Sequence, residues 1–256
     1  MKRIKNLILA FVLLPCVLLL GACGGDTLKT EAQLNTKGTY SDATVADYQN
    51  IVGTDDSAVN EKTNIKGYRL TIKTESADGS SSAIVNGIVD LENNELAIRS
   101  VMKGEELGVK VDVESELYYT NGYAYVYANG MGTTAKYKMQ LDVKDNLDGN
   151  NDLIASYSEM LNTLFTEIHS KIDDEEVVVK SYTKGSTNKF EITADDYVYY
   201  VVFEDNQLVG VTSSYSTEYA TINYVLVAYD KAIDFPSFKD YQEIPSGMDL
   251  NDFFGE

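Results

Sequence analysis

Apolar and polar residues alternate along much of the chain beyond residue 65. In the stretches 68–73 and 107–113 every second residue is apolar, and a period of two is typical of half-buried β-strands. Asn121-Gly122 predicts a two-residue hairpin turn, because both residues readily adopt positive φ angles. The pattern predicts about ten strands, the others lying near 84–91, 95–102, 135–142, 177–183, 188–193, 197–204, 208–215 and 220–229.

One segment between these strands has the periodicity of a helix. Its apolar residues recur at spacings of three and four, and Asn150, Asn151 and Asp152 before them are good helix-capping residues. This pattern predicts one long amphipathic helix near residues 151–172. Its apolar residues are Leu153, Ile154, Tyr157, Met160, Leu161, Leu164, Phe165, Ile168 and Ile172.

Several predicted strands are apolar on both faces, for example residues 197–203 and 222–229. Ten strands at about 4.8 Å spacing make a sheet about 50 Å wide, whereas a helix is only about 10 Å across. One helix cannot cover such a sheet, so we expect the sheet to curl around its own inner face. The predicted fold is α+β and mainly β, a curved antiparallel half-barrel of about ten strands with the helix against it.

The chain begins with basic residues followed by a short apolar run. Lys2, Arg3 and Lys5 precede an apolar run of fourteen residues, 7–20. A membrane-spanning helix needs about 20 apolar residues, so the run is typical of a secretory signal. The next residues, Leu20-Gly21-Ala22-Cys23, resemble the lipobox of bacterial lipoproteins, in which the signal is cut before the cysteine and the thiol receives a diacylglyceryl group.

The resemblance implies a lipoprotein held on the outer face of the bacterial cell membrane by acyl chains on Cys23. An ordinary secreted protein and an uncleaved anchor are the alternatives. An ordinary secretory cut needs small residues at both cleavage positions, and Leu20 fits a cut after Ala22 poorly, although a cut after Cys23 would satisfy that rule. The short apolar run disfavours the anchor. Cys16 lies within the signal, so the mature chain contains no pair of cysteines for an intramolecular disulfide.

The remainder of the chain divides by composition. Residues 1–22 are the predicted signal, and residues 23–64, rich in small polar residues, predict a mostly flexible tether with a reach of about 35 Å. Within this tether, one or two helical turns are expected around Thr44–Ile51. Residues 65–235 form the predicted curved-sheet domain. Residues 236–256 form a coil-like tail, in which Leu250, Phe253 and Phe254 are expected to dock as a short helix.

A signal, tether, Tyr-rich hairpin, helix and second set of strands together resemble the lipoprotein-carrier fold of LolA, LolB and LppX. They equally resemble related uncharacterised Gram-positive lipoproteins. The closest likeness is at residues 117–126, followed by Lys136-Tyr137-Lys138. The resemblance implies a curved sheet that holds acyl chains, but no specific position carries that ability over.

Charge restricts the partners of the mature chain. The full chain has a formal charge of −19, and removal of three basic residues with the signal gives −22. Nucleic acids and anionic lipid headgroups repel such a surface, so we expect no nucleic-acid partner. The sequence identifies no protein partner.

No arrangement of residues predicts catalysis, a cofactor or a metal site. The single histidine, His169, has no recognisable nucleophile or orienting partner and is expected at the solvent or rim side of the helix. Residues 145–152 resemble a calcium loop, but Lys144 and Ala155 would occupy its first and last ligand positions. The acidic run 173–176 is more typical of a solvated turn.

The chain has 19 tyrosines and no tryptophan. Ordinary cross-strand packing explains many of them. The alternative is a wall of a ligand groove, for which the candidates are Tyr118, Tyr123, Tyr125, Tyr127, Tyr199 and Phe203. We therefore expect a non-enzymatic lipoprotein that binds an apolar or amphiphilic ligand on the concave face of the sheet. The alternative function is a structural or protein-interaction module of the envelope without a small-molecule ligand.

Overall fold

A computed structural model describes residues 26–53, 65–106, 109–130, 133–140, 153–172 and 176–244. The predicted signal and Cys23 lie outside these ranges. So do the calcium-like segment 145–152, residues 173–175 of the acidic run, and the C-terminal residues 250–254.

The described strands form one open sheet, in the order β1-β8-β9-β10-β11-β12-β2-β3-β4-β5-β6-β7-β13. Every neighbouring pair is antiparallel except β13 and β7, which are parallel. The strands are β1 Ser41–Ala43, β2 Gly67–Ser76, β3 Ser82–Asp90, β4 Glu95–Glu106, β5 Val109–Thr120, β6 Tyr123–Gly130, β7 Thr133–Gln140, β8 Val178–Lys184, β9 Thr187–Ala194, β10 Tyr197–Glu204, β11 Gln207–Ser216, β12 Ala220–Ala228 and β13 Gln242–Glu243.

The structure confirms a mainly β fold but corrects the strand number, which is thirteen within the described residues instead of about ten. The two edge strands, β1 and β13, come from the predicted tether and tail. They have three and two residues, too few to show a period of two in the sequence.

Two antiparallel meanders make up the sheet, one running from β2 to β7 and the other from β8 to β12. The meanders join where β12 pairs with β2, from Ala220 opposite Ser76 to Ala228 opposite Tyr68. The predicted hairpin turn is confirmed, because Asn121 and Gly122 have φ angles of 52° and 76° between β5 and β6.

The helices are α1 Asp26–Lys29, α2 Val45–Val52 and α3 Leu153–Ile172. A capping box starts α2: the Asp47 amide donates to the Thr44 hydroxyl at 3.2 Å, and the Thr44 amide donates to the Asp47 carboxylate at 2.8 Å. The helix α3 occupies the position where the sequence predicts a helix, and it connects the two meanders. Its residues Phe165 and Ile168 are almost completely buried.

The sheet has two faces, which we call face A and face B. Face A carries α2, α3 and the larger apolar cluster, which includes Leu96, Tyr119 and Ile192. Face B carries a smaller cluster that includes Ile88 and Tyr118. Successive side chains of a strand point to opposite faces, which is why the neighbours Tyr118 and Tyr119 belong to different clusters.

Residues 26–43 are not a flexible tether, as the sequence predicts, but a strap that crosses face B. We call them the N-terminal strap. The Ala32 amide donates to Thr71 Oγ1 at 2.7 Å, and Lys189 Nζ donates to the Lys37 carbonyl at 2.8 Å. Because side chains of the sheet satisfy the backbone of this segment, it needs few apolar residues to stay in place.

The strap leads into α2, which lies on the other side of the sheet. Within α2, Tyr48 and Val52 are fully buried in the cluster on face A. The N-terminal segment therefore covers face B and, after the edge strand β1, contributes to the core on face A. This structured segment extends through residue 53, inside the range predicted as tether.

Residues 229–244 also pack on the sheet, and we call them the C-terminal strap. The Phe238 ring stacks on Tyr125 with centroids 3.8 Å apart and planes 10° apart. Ile233 and Tyr241 are buried, and β13 pairs with β7. The predicted domain boundary at residue 235 therefore falls inside a packed segment, and the part of the tail up to residue 244 is not free coil.

Candidate functional site

The six predicted groove residues do not lie in one groove. Tyr118 pairs with Tyr125 across the β5–β6 hairpin, and the alternation along β6 places Tyr123 and Tyr127 on the same face, face B. Tyr199 belongs to the cluster on face A.

Phe203 belongs to that face-A cluster as well. The prediction of a single groove was wrong, because period-two patterning assigns faces only within a strand. The register across the intervening strands decides which faces of distant strands coincide.

On face B, the C-terminal strap fills the space over the tyrosine hairpin. Tyr118 is fully buried, its ring centroid lies 5.5 Å from that of Phe238, and its hydroxyl donates to Glu116 Oε2 at 2.8 Å. Burial raises the pKa of Tyr118, and the Glu116 carboxylate raises it further. These features identify the hairpin tyrosines as packing residues beneath the strap.

On face A, Tyr199 and Phe203 are also fully buried, in the cluster that contains the side chains of α3. Burial raises the pKa of Tyr199, and the Glu167 carboxyl beside it adds to the effect. Neither side chain is exposed to a ligand in this structure. Tyr199 instead lies next to Glu167, a charged residue of α3.

A cavity of about 50 Å³ lies between α3 and the strands β2 and β10–β12, and we call it the helix cavity. Leu70, Leu164 and Leu226 form part of an apolar wall. The residues lining it are Leu70, Met160, Thr163, Leu164, Glu167, Tyr197, Ser213, Tyr215, Ile222, Tyr224, Val225 and Leu226.

Glu167 is the charged residue of this lining. Burial raises the pKa of its carboxyl group, while the Tyr199 hydroxyl and the Lys171 ammonium group act in the opposite direction. The pKa of Tyr197 is raised to about 12, mainly by burial and next by the negative charge of Glu167. The helix cavity therefore combines an apolar wall with a carboxyl group among neutral phenols.

Aromatic stacking holds the tyrosines Tyr197, Tyr199 and Tyr215 in place near Glu167. The ring centroids of Tyr197 and Tyr215 are 4.3 Å apart across β10 and β11, and Tyr197 also stacks on Tyr199 at 5.7 Å. Lys171 Nζ donates to Asp195 Oδ2 at 2.5 Å and lies 5.8 Å from the Tyr197 ring centroid. These contacts connect the C-terminal part of α3 to the sheet.

The sequence did not single out the cavity residues, although one signal was present. Met160, Leu164 and Glu167 follow one another at spacings of four and three, so they share one face of α3. A carboxylate on the apolar face of an amphipathic helix is unusual, because burial without a partner is costly. The position of Glu167 on the apolar face of α3 could therefore have indicated it as a residue of the helix cavity.

A second, larger opening of about 250 Å³ lies on face B between α1 and strands β3 and β4. We call it the α1 cleft. Lys29 and Lys103 line it and are exposed. Arg99 also lines it, and its Nε donates to Glu114 Oε1 at 2.6 Å. Four charged residues line the cleft, whereas the lining of the helix cavity contains one.

His169 is half-buried on α3, with its ring centroid 6.2 Å from that of Tyr48 in α2. It therefore lies at the contact between the two helices. Within the described ranges, no group of three or more His, Cys, Asp or Glu side chains could hold a metal ion. No helix in the described part of the chain is long and apolar enough to cross a membrane.

No known protein-family model matches the chain, and no curated protein matches it significantly in sequence.

Proposed function

We propose that the protein is a lipid-anchored extracytoplasmic binding protein without enzymatic activity. In this proposal, acyl chains on Cys23 hold the chain on the outer face of the cell membrane, and the helix cavity takes the apolar part of an amphiphilic ligand. The signal and the lipobox-like residues support the location. The helix cavity is the observation that carries the binding function, because its wall is apolar and its charged residue is Glu167.

The chemistry of the cavity fits a ligand with two parts. Leu70, Leu164 and Ile222 offer dispersion contacts and apolar burial, which stabilise an acyl or other hydrocarbon group by about 0.8 kcal/mol per methylene. Glu167 and the hydroxyl group of Ser213 can form hydrogen bonds with a polar group. An amphiphile matches this combination better than a fully polar metabolite does.

The size of the cavity requires α3 to move when a hydrocarbon chain binds. An apolar cavity of about 150 Å³ takes up one benzene molecule, whereas the helix cavity measures about 50 Å³. In this proposal face A is the concave side of a half-barrel, and α3 shifts away from it.

Native mass spectrometry of the full-length protein, purified from bacterial membranes, tests the proposal together with organic extraction. We expect a bound amphiphile that extraction releases. Ile222→Trp places a larger ring in the cavity lining and should abolish the bound mass. Ile84→Trp is the matched control, because Ile84 is also half-buried but lines the α1 cleft on the opposite face.

The mass-spectrometry experiment can support or contradict the binding function. A bound mass in wild type and in Ile84→Trp, but not in Ile222→Trp, supports the helix cavity as the binding site. Wild-type protein that carries no extractable ligand under varied lipid supply would contradict the binding function. In that case the structural or protein-interaction role in the envelope would become the better hypothesis.

A further inference from the structure

The N-terminal strap shortens the distance between the proposed lipid anchor and the folded domain. Leu28 is buried on face B beside Ile88 and Ala97. It lies only five positions after Cys23 in the sequence. Because an extended chain spans at most about 3.6 Å per residue, the link from Cys23 to Leu28 reaches at most about 18 Å.

Several contacts hold the strap beyond Leu28. An Arg69 guanidinium nitrogen donates to the Thr30 carbonyl at 2.5 Å, and the Lys73 ammonium group pairs with Glu31 at 2.7 Å. Further along, Gly38 lies against the Tyr182 ring so closely that a Cβ there would approach ring carbons to 2.9 Å. The strap is therefore fixed at points along its length, and it does not act as free chain.

Basic side chains are exposed on the surface next to Leu28. Lys29 and Lys103 are both exposed in the lining of the α1 cleft, and Glu31 in the same lining pairs with Lys73. A mature chain of charge −22 is repelled by anionic headgroups as a whole. A short link prevents the domain from moving away, so the surface around Leu28, which includes Lys29 and Lys103, is held near the membrane.

We infer that face B around α1 lies against the outer leaflet of the membrane, with Lys29 and Lys103 directed to the phosphate groups of anionic lipids. This inference rests on the lipid anchor of the proposed function. The helix α3 and the helix cavity lie on face A, so the sheet separates them from the bilayer. A ligand would enter the cavity from the side that faces away from the membrane.

Fluorescence quenching in vesicles tests this orientation. Full-length protein, lipidated in a bacterial host, is reconstituted into phosphatidylglycerol vesicles that contain a headgroup quencher. Ser82→Cys places a label in the α1 cleft, and Asn162→Cys places one on the exposed side of α3. Mass spectrometry of each variant establishes whether Cys23 carries acyl chains, which leaves the introduced thiol as the one that reacts with the label.

We expect strong quenching of the label at residue 82 and little quenching at residue 162. Insertion of twenty Gly and Ser residues after Gly25 should remove the difference, because such a chain adds a mean reach of about 25 Å. Lys29→Glu combined with Lys103→Glu should reduce quenching at residue 82, whereas Lys184→Glu, an exposed site at the end of β8, should not.

The outcomes separate the two proposals. Acylated protein with equal quenching at both labels, or with stronger quenching at residue 162, would overturn the orientation and leave the lipid anchor intact. Protein without acyl chains on Cys23 would overturn the anchor and the orientation together. Quenching at residue 82 that the long insertion leaves unchanged would show that the short link does not hold face B at the membrane.

Discussion

Phe238 is the residue through which the role of the C-terminal strap can be measured most directly. Its ring stacks on Tyr125 at 3.8 Å and lies 5.3 Å from Tyr241 and 5.5 Å from Tyr118. Phe238→Ala removes these three ring contacts, together with a longer one to Phe235 within the strap, without touching the backbone of the sheet. If the strap stabilises the fold, this change must lower the free energy of unfolding.

The magnitude follows from burial and ring contacts. Complete removal of a buried Phe side chain costs about 3–5 kcal/mol, and each aromatic pair contributes about 0.5–1.5 kcal/mol beyond burial. Phe238 is half-buried, so we expect Phe238→Ala to cost about 2–3 kcal/mol. Phe235 is also half-buried, but its nearest ring centroids, those of Phe238 and Tyr118, are 6.0 and 6.2 Å away.

Phe235→Ala is therefore the matched control, with an expected cost of about 1–2 kcal/mol. Equilibrium urea unfolding of both variants and of the wild type provides the measurement, with circular dichroism and tyrosine fluorescence as independent probes. A loss within about 0.5 kcal/mol of zero for Phe238→Ala is what a surface substitution produces. That result, or an equal loss for Phe235→Ala, would refute the conclusion that the stack fixes the strap.

Two further changes test the N-terminal strap and the helix cavity. Gly38→Val should clash with the Tyr182 ring and make the strap sensitive to protease, whereas Lys37→Val, at an exposed neighbour, should not. Folding raises the pKa of Glu167 above its ordinary value of 4.5. The stability that Glu167 contributes in its protonated form is therefore lost as the pH rises from 4.5 through the pKa of the folded state. In urea titrations, Glu167→Gln should therefore gain stability over wild type from acidic to neutral pH, and a constant difference would contradict this.

The sequence determined the local structure of the sheet well. Alternation predicts the strands because each strand buries one side, and the Asn121-Gly122 turn follows from two residues that tolerate positive φ angles. The periodicity at residues 151–172 likewise indicates α3, because three- and four-residue spacing aligns side chains on one face of a helix. These features depend on residues that are close together in the chain.

Tertiary structure alone decided where the two terminal segments lie and which tyrosines share a face. The strap around Ala32 is held by side chains from distant strands, such as Thr71, and no local pattern encodes those partners. Likewise, Tyr118 and Tyr199 lie on opposite faces because of register accumulated over many strand pairs. Period-two patterning defines the two sides of each strand, but only pairing along the whole sheet determines which sides coincide.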